Sequence, residues 1–450
     1  MTRITKDKAF YKEFFSLLLF IALQNLIVYC VNLADNIMLG RWSEEALSGV
    51  ALANQVQFLL QMIVSAVGEG VVVLASQYWG KRDLRPIPFI NGIGLNVALA
   101  VGALFMLAGL IVPESILRLL SQDQLILNEG VKYMRIVCFS YLFYAASTVL
   151  LATMRSVENV HIGMEVSVMA LVVNICLNYC LIFGKFGMPA LGVQGAAIAT
   201  TIARACELIV AAFYTLRIDK KLRLKARQLF RTEKSLAKDY VRVATPVILS
   251  GLSWGIAQFI QTSILGHLGG AAVAANSIAV SLFSVIMVVS YGSGSASAVF
   301  IGKVVGSGDH SRIKEYVVTL QCLFLGFGLI TGGALFLLKE PIISFYNVAE
   351  GTRDLARQFL TVLSITSIGS CYQAPCLTGI VRGGGNTKFV FYNDLVFQWG
   401  MVITFSLLAA YVWHLPPVWV FFFLKSDQLV KCIVAVFEVN SYRWIKKLTR

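Results

Sequence analysis

The sequence predicts an all-α membrane protein of about 12 transmembrane helices, arranged as two six-helix bundles related by a pseudo-two-fold axis. Three observations predict it. First, the 450 residues are 57% hydrophobic and only 14% charged, with a mean hydropathy of +0.74, whereas a soluble domain carries about 25% charged residues. Second, the apolar residues fall into long runs split by short polar ones, without the alternation over roughly 10 residues that membrane β-strands need. Third, motifs of the first half recur in the second half at nearly constant offset.

In chain order the spans read as 12–39, 47–76, 88–112, 126–152, 160–184 and 191–216, then 238–265, 270–301, 311–337, 354–380, 388–413 and 416–441. Each is long enough to cross a bilayer, which takes about 20 residues of α-helix. The first run is too long for a cleavable leader, and no small-residue cleavage site follows it. Cysteines such as Cys30, Cys138, Cys176 and Cys322 lie mostly inside the runs, with neither zinc nor disulfide spacing, and read as small core residues. His161, His267, His310 and His414 are scattered, and no phosphate loop of the GxxxxGKS kind exists. An enzyme, a bound cofactor and transport driven by ATP on this chain are therefore not expected.

Charge sets the orientation. With the amino terminus inside, one set of connections holds 26 of the 38 Lys and Arg residues. They run from Arg3, Lys6, Lys8 and Lys12 through Lys81, Arg82 and Arg85 to the Arg217–Lys238 stretch and the tail at Arg443, Lys446, Lys447 and Arg450. The opposite face holds eight: Arg41, Arg118, Lys132, Arg135, Lys185, Lys339, Arg353 and Arg357. Lys and Arg accumulate in cytoplasmic loops, so the chain is expected to cross the cell (cytoplasmic) membrane with both termini in the cytoplasm. The net charge of +14 is then mostly a topology signal, with some attraction to anionic lipid. Nucleic acid is excluded as a partner, because no connection is long enough for a folded basic domain.

The most basic connection divides the chain into 1–216, a linker at 217–237, and 238–450. Leu39-Gly40 recurs at Leu265-Gly266, and Gly68-Glu69-Gly70 is answered by Gly292-Ser293-Gly294. MRSVEN (Met154 to Asn159) matches VRGGGN (Val381 to Asn386), placing Arg155 over Arg382 and Asn159 over Asn386. Matched pairs share a side of the membrane, so the halves are parallel repeats about an axis along the membrane normal. Two such bundles are the plan of an alternating-access transporter.

Within the first span, Asp35 is a carboxylate in VNLADNIMLG, and such a group costs at least ~2.5 kcal/mol in a membrane helix. It is expected to face a cavity or a partner. Asn174 and Asn178 stand four apart on one face of the fifth span. Thr200 and Thr201 come about 13–15 Å down the sixth at 1.5 Å per residue, a depth comparable to that of Asp35. Asp35 can supply charge, while the Asn and Thr oxygens either ligate a hard cation or hydrogen-bond a protonated acid. A polar network that only ties helices together is the competing reading.

These motifs resemble a family. Asn174 to Arg204 (NICLNYCLIFGKFGMPALGVQGAAIATTIAR), NLADNIMLG, ASQYWGKRD and VRGGGNTKF are similar to segments of the multidrug and toxic compound extrusion (MATE) transporters, and the similarity covers essentially the whole chain. The resemblance implies 12 helices in a V-shaped pair of lobes. It also implies export of small organic, often cationic, compounds in exchange for Na⁺ or H⁺, by a functional monomer. Asp35, Asn174, Asn178 and Thr200 fall on the family's cation-site positions in the amino-terminal lobe. Asn178 stands where many members carry a second aspartate. One carboxylate fewer favours H⁺ over Na⁺, since a carboxyl group desolvated without a cation favours its protonated form; were Na⁺ the coupling ion, Asp35 would be its charged ligand. In the second lobe Gln261 takes the repeat position of Asp35, and the acids of the NorM branch fall on Trp254 and Cys371. The chain therefore looks closer to the DinF-like branch.

The remaining embedded polar groups carry open alternatives. Glu69 and Asp394 are each read as a second acid site or a paired residue. Arg204 with Glu207, and Lys425 with Asp427 and Lys431, are read as structural pairs on their own helices. Arg155 and Arg382 are expected at helix ends or on lipid phosphates. For a flat organic cation, Tyr141, Trp254 and Tyr291 offer stacking and cation–π contact, and Gln258 and Gln261 neutral hydrogen bonds, in a cleft. A flippase for lipid-linked oligosaccharides or lipids is the alternative; it would carry cationic residues in its central cavity for a pyrophosphate, and Lys425 and Lys431 are the candidates here.

Overall fold

The computed structural model describes residues 4–449 except 223, 226, 228–232, 345 and 347, and every regular element among them is helical. Arg3, Arg223, Arg231 and Arg450, part of the 217–237 linker, and the side chain of His310 lie outside the described residues.

The first half runs α1 (Lys8–Trp42), α2 (Glu44–Gly80), α3 (Ile87–Ile111), a short α4 (Pro113–Arg118), α5 (Gln124–Val137), α6 (Ser140–Ser156), α7 (His161–Phe183) and α8 (Val193–Phe213). The second half runs α9 (Lys234–His267), α10 (Gly270–Ile286), α11 (Val288–Ser307), α12 (His310–Ser344), α13 (Glu350–Ala374), α14 (Thr387–Leu395), α15 (Thr404–Leu407), α16 (Pro417–Lys425) and α17 (Asp427–Ser441). π-helical turns extend α8 and α13 and link α14, α15 and the segment to Val412 into one rod. Among the described residues nine helices are long and apolar enough to cross a membrane, and α5 with α6, bent by 53°, makes a tenth. Two further spans complete the 12-helix fold. One is α13, whose buried face carries Ser364, Thr366, Ser367 and Ser370; the other is α16 with α17, broken at Ser426.

Local sequence explains several ends. Ser43 caps α2, its Oγ accepting the Ala46 N–H at 3.0 Å, and Glu44 and Glu45 oppose the helix dipole in the first turn. Gly184 ends α7 in the left-handed conformation (φ 66°), which a side chain would strain. At Gly195 a Cβ would sit 2.5 Å from the Leu181 carbonyl oxygen. Only glycine lets α7 and α8 approach so closely.

The chain packs as two compact units, Leu23–Ile248 and Met1–Ala22 with Leu249–Arg450. This differs from the division into 1–216, 217–237 and 238–450, because α1 and α9 each change unit part-way along. In the first unit, Tyr240 near the start of α9 donates its hydroxyl to the Val67 carbonyl at 2.9 Å, and Gly70 meets Ala244. In the second unit, the start of α1 buries Phe10 and Phe14. Phe10 stacks on Tyr316 at 4.9 Å and meets Phe300 edge-on, while Lys303 pairs with Glu13 at 2.7 Å.

Each unit also folds its following segment over the connection that carries the repeat motif. In the first, Lys221 Nζ donates to the Val157 carbonyl at 2.8 Å, Asn159 Nδ2 to Asp219 Oδ1 at 3.3 Å, and Leu224 is buried beside Met154, Ile162 and Val166. In the second, Trp444 is fully buried with its ring on Gly384, where a Cβ would come within 2.1 Å. Lys446 donates its backbone N–H to Gly384 O at 2.8 Å and its Nζ to Asn386 Oδ1 at 2.7 Å. The glycines of VRGGGN make room for that tryptophan.

Candidate functional site

Four residues named from the sequence meet in the first unit. Asp35 comes from α1, Asn174 and Asn178 from successive turns of α7, and Thr200 from α8. Asn178 Nδ2 donates to Asp35 Oδ1 and, at 3.0 Å, to Asn174 Oδ1; Asn174 Nδ2 lies 3.5 Å from Thr200 Oγ1. Asn174, Asn178 and Thr200 are buried, and Asp35 is half-buried. Asn178 Oδ1 is buried without a hydrogen-bond partner among the described residues. Thr201 turns away instead, its Oγ1 bonding Ala197 O of its own helix at 2.8 Å and lying 3.4 Å from Ile136 O of α5.

Asp35, Asn174 and Thr200 open on a cavity of about 270 Å³ whose other walls include Asn54, Gln57, Tyr133, Arg204 and Glu207. Arg204 Nη1 donates to Glu207 Oε2 at 2.7 Å, and Glu207 Oε1 accepts from Ser147 Oγ at 3.0 Å. The guanidinium lies over the Tyr144 ring, 5.1 Å from its centre. The cavity thus contains one ion pair and one further carboxylate, ringed by carboxamides. Such a site offers one carboxylate outside an ion pair among the described residues, for which a proton, a small cation and an ammonium would compete.

The other candidates fall elsewhere. Glu69 pairs with Arg155 Nη2 at 2.8 Å, both partly buried, so Arg155 meets an acid rather than lipid phosphate. Asp394 accepts Ser250 Oγ at 2.5 Å and Lys431 at 3.3 Å, and Lys431 also reaches Asp427 at 3.2 Å. Lys425 does not join that pairing; its ammonium lies over the ring of Phe421, four residues earlier on α16. Tyr141, expected in a cleft, is 1% exposed on the part of α6 whose backbone packs closely on Gly102 of α3, and it is not on the cavity wall. Trp254 and Tyr291 are exposed, Gln258 is half-buried and Gln261 buried, all in the second unit and none on the cavity.

The cavity walls were only partly anticipated. Arg204 and Glu207 form the pair that their spacing predicts, and the pair also faces the cavity. Thr200, Arg204 and Glu207 follow one helix face at i, i+4 and i+7, and Asn54, Gln57 and Gln61 form a polar stripe on α2. A polar stripe on an apolar helix was the available signal.

The MatE family model matches residues 21–180 and 246–397. Curated relatives include an uncharacterised transporter, YisQ, of Bacillus subtilis, 23% identical over 98% of this chain and 96% of the relative. Another is a probable multidrug resistance protein, NorM, of Thermotoga maritima, 22% identical over 95% of this chain and 92% of the relative. Two solved structures share the fold at 18% identity. One is a MOP superfamily transporter from Pyrococcus furiosus, with a TM-score of 0.88 and all of both chains covered. The other is an outward-facing multidrug resistance MATE transporter, with a TM-score of 0.86, covering 98% of this chain and 99% of that one.

Proposed function

Because the chain belongs to the MatE family of multidrug efflux transporters, we propose that it exports small organic, chiefly cationic, compounds in exchange for H⁺ by alternating access. The observation that carries this reading is Asp35. It is the cavity carboxylate without an ion-pair partner among the described residues, held by Asn178 at the mouth of a hydrogen-bonded chain. An ammonium and a proton cannot both occupy that carboxylate, so loading one releases the other. Na⁺ would require Asp35 with neutral oxygens alone, a weaker set for a hard cation than one with a second acid.

The DinF-like assignment rests on the same asymmetry, with Trp254, Gln261 and Cys371 where second-lobe acids would act. The proposed setting is a functional monomer in the cell membrane, both termini cytoplasmic. Lipid-linked oligosaccharide flipping is disfavoured, since among the described residues Arg204 is the single Lys or Arg on the cavity wall, too little positive charge for a pyrophosphate.

The test uses purified protein in liposomes holding a fluorescent organic cation, with a pH gradient or a Na⁺ gradient imposed separately. Flux driven by the proton gradient alone supports the proposal. Flux that follows Na⁺ replaces the coupling ion, and flux with neither gradient overturns antiport.

A further inference from the structure

We propose that the Asp35–Arg204 cavity selects amphoteric organic molecules, an ammonium set against the Asp35 carboxylate and a carboxylate set against Arg204. The inference rests on the reading of this cavity as the substrate site and names its substrate class.

Arg204 is held in place rather than consumed. Its only hydrogen bond among the described residues is from Nη1 to Glu207, although a guanidinium has five N–H donors in a fixed fork. Tyr144 supports one face of the group, and Arg204 itself lines the cavity. Glu207 is engaged at both oxygens, by Ser147 and by Arg204, and its side chain is only 8% exposed. An incoming ammonium therefore finds Asp35, whose Oδ2 makes no hydrogen bond among the described residues, rather than Glu207. The cavity presents one accessible carboxylate and one accessible guanidinium edge.

That pairing discriminates. A pure cation filling the cavity would still meet Asp35 but would strip water from the unbonded N–H groups of Arg204 and leave them unpaired, so it binds less tightly than a ligand that also carries a carboxylate. A ligand with both charges satisfies both walls, and a planar guanidinium suits a carboxylate better than an ammonium would.

The test compares para-(trimethylammoniomethyl)benzoate, a zwitterion at neutral pH, with its methyl ester, a pure cation of the same frame. Binding to the full-length protein in lipid nanodiscs is read by calorimetry, and export by flux of labelled compound from liposomes. The zwitterion is expected to bind at least about tenfold more tightly than the ester. Arg204→Gln with Glu207→Gln, which leaves no uncompensated charge, should erase that preference by weakening the zwitterion alone. Arg204→Gln by itself frees the Glu207 carboxylate and should weaken the zwitterion while strengthening the ester. An ester bound as tightly as the zwitterion by the unmodified protein overturns the inference, as does a variant that weakens both alike. If the ester is exported in an Asp35-dependent way while the zwitterion has no advantage, the efflux reading stands and the amphoteric one falls. If neither compound binds, the cavity is not the substrate site and both fall.

Discussion

Replacing Asp35 by Asn separates a charge carrier from a structural tie. The substitution keeps an oxygen where Asn178 Nδ2 donates, so the link between α1 and α7 survives. The bond changes from charge-assisted, about 1.5–3 kcal/mol, to neutral, about 0.5–1.5 kcal/mol, a loss near 1 kcal/mol. Against it stands relief of the cost of a carboxylate in a membrane helix, about 2.5 kcal/mol in lipid and reduced here because Asp35 is half-buried and faces a cavity. The two nearly cancel or leave a small gain. A change of that size moves the midpoint of a large chain by no more than about 2–4 °C. Ion-coupled export should nevertheless fall to background, because a carboxamide neither takes up nor releases a proton. The assay is liposome flux under a pH gradient at equal reconstituted protein, with thermal unfolding alongside. Export retained at half the original rate would refute the coupling role. A midpoint lowered by about 10 °C would show that Asp35 is chiefly a structural tie.

Three other outcomes are expected. Glu69→Ala should destabilise the first unit by about 1–3 kcal/mol through the stranded Arg155, discounted for partial exposure; the double change Glu69→Ala with Arg155→Ala should cost less in the same thermal assay. Trp444→Ala should cost about 3–5 kcal/mol, as expected for a fully buried indole, and a thermal midpoint equal to that of the unmodified protein would show that the tail does not hold the second unit. A reporter fused after Arg450 should be labelled only from the cytoplasmic side of intact cells, and labelling from outside would reverse the topology.

The site was legible where an energetic cost marks a residue. A carboxylate in a first span and two asparagines four apart are anomalies in hydrocarbon, and Asp35, Asn174, Asn178 and Thr200 do share one hydrogen-bonded chain. Tyr141 was misread because an aromatic residue on an apolar helix looks the same in a core as beside a cleft. The bend between α5 and α6 has no proline or glycine at residues 138–139 to announce it. The boundaries of the units escaped for a different reason. They depend on Phe10 meeting Phe300 and Tyr316, partners that no local pattern reveals.

That early crossing of α1 has a consequence for biogenesis. Glu13 and its partner Lys303 are 290 residues apart, so at roughly 5–20 residues per second the start of α1 waits about 15–60 s for its neighbours to be made. During that interval Phe10 and Phe14 have only lipid or the insertion machinery to cover them. The start of α9 has the opposite experience, since Val67, its acceptor for Tyr240, is already in place when it emerges. The first unit can therefore close during synthesis, whereas the second can close only after its opening residues are retrieved. Mutations that slow that retrieval should lower the yield of inserted protein while leaving the activity of the finished molecules unchanged.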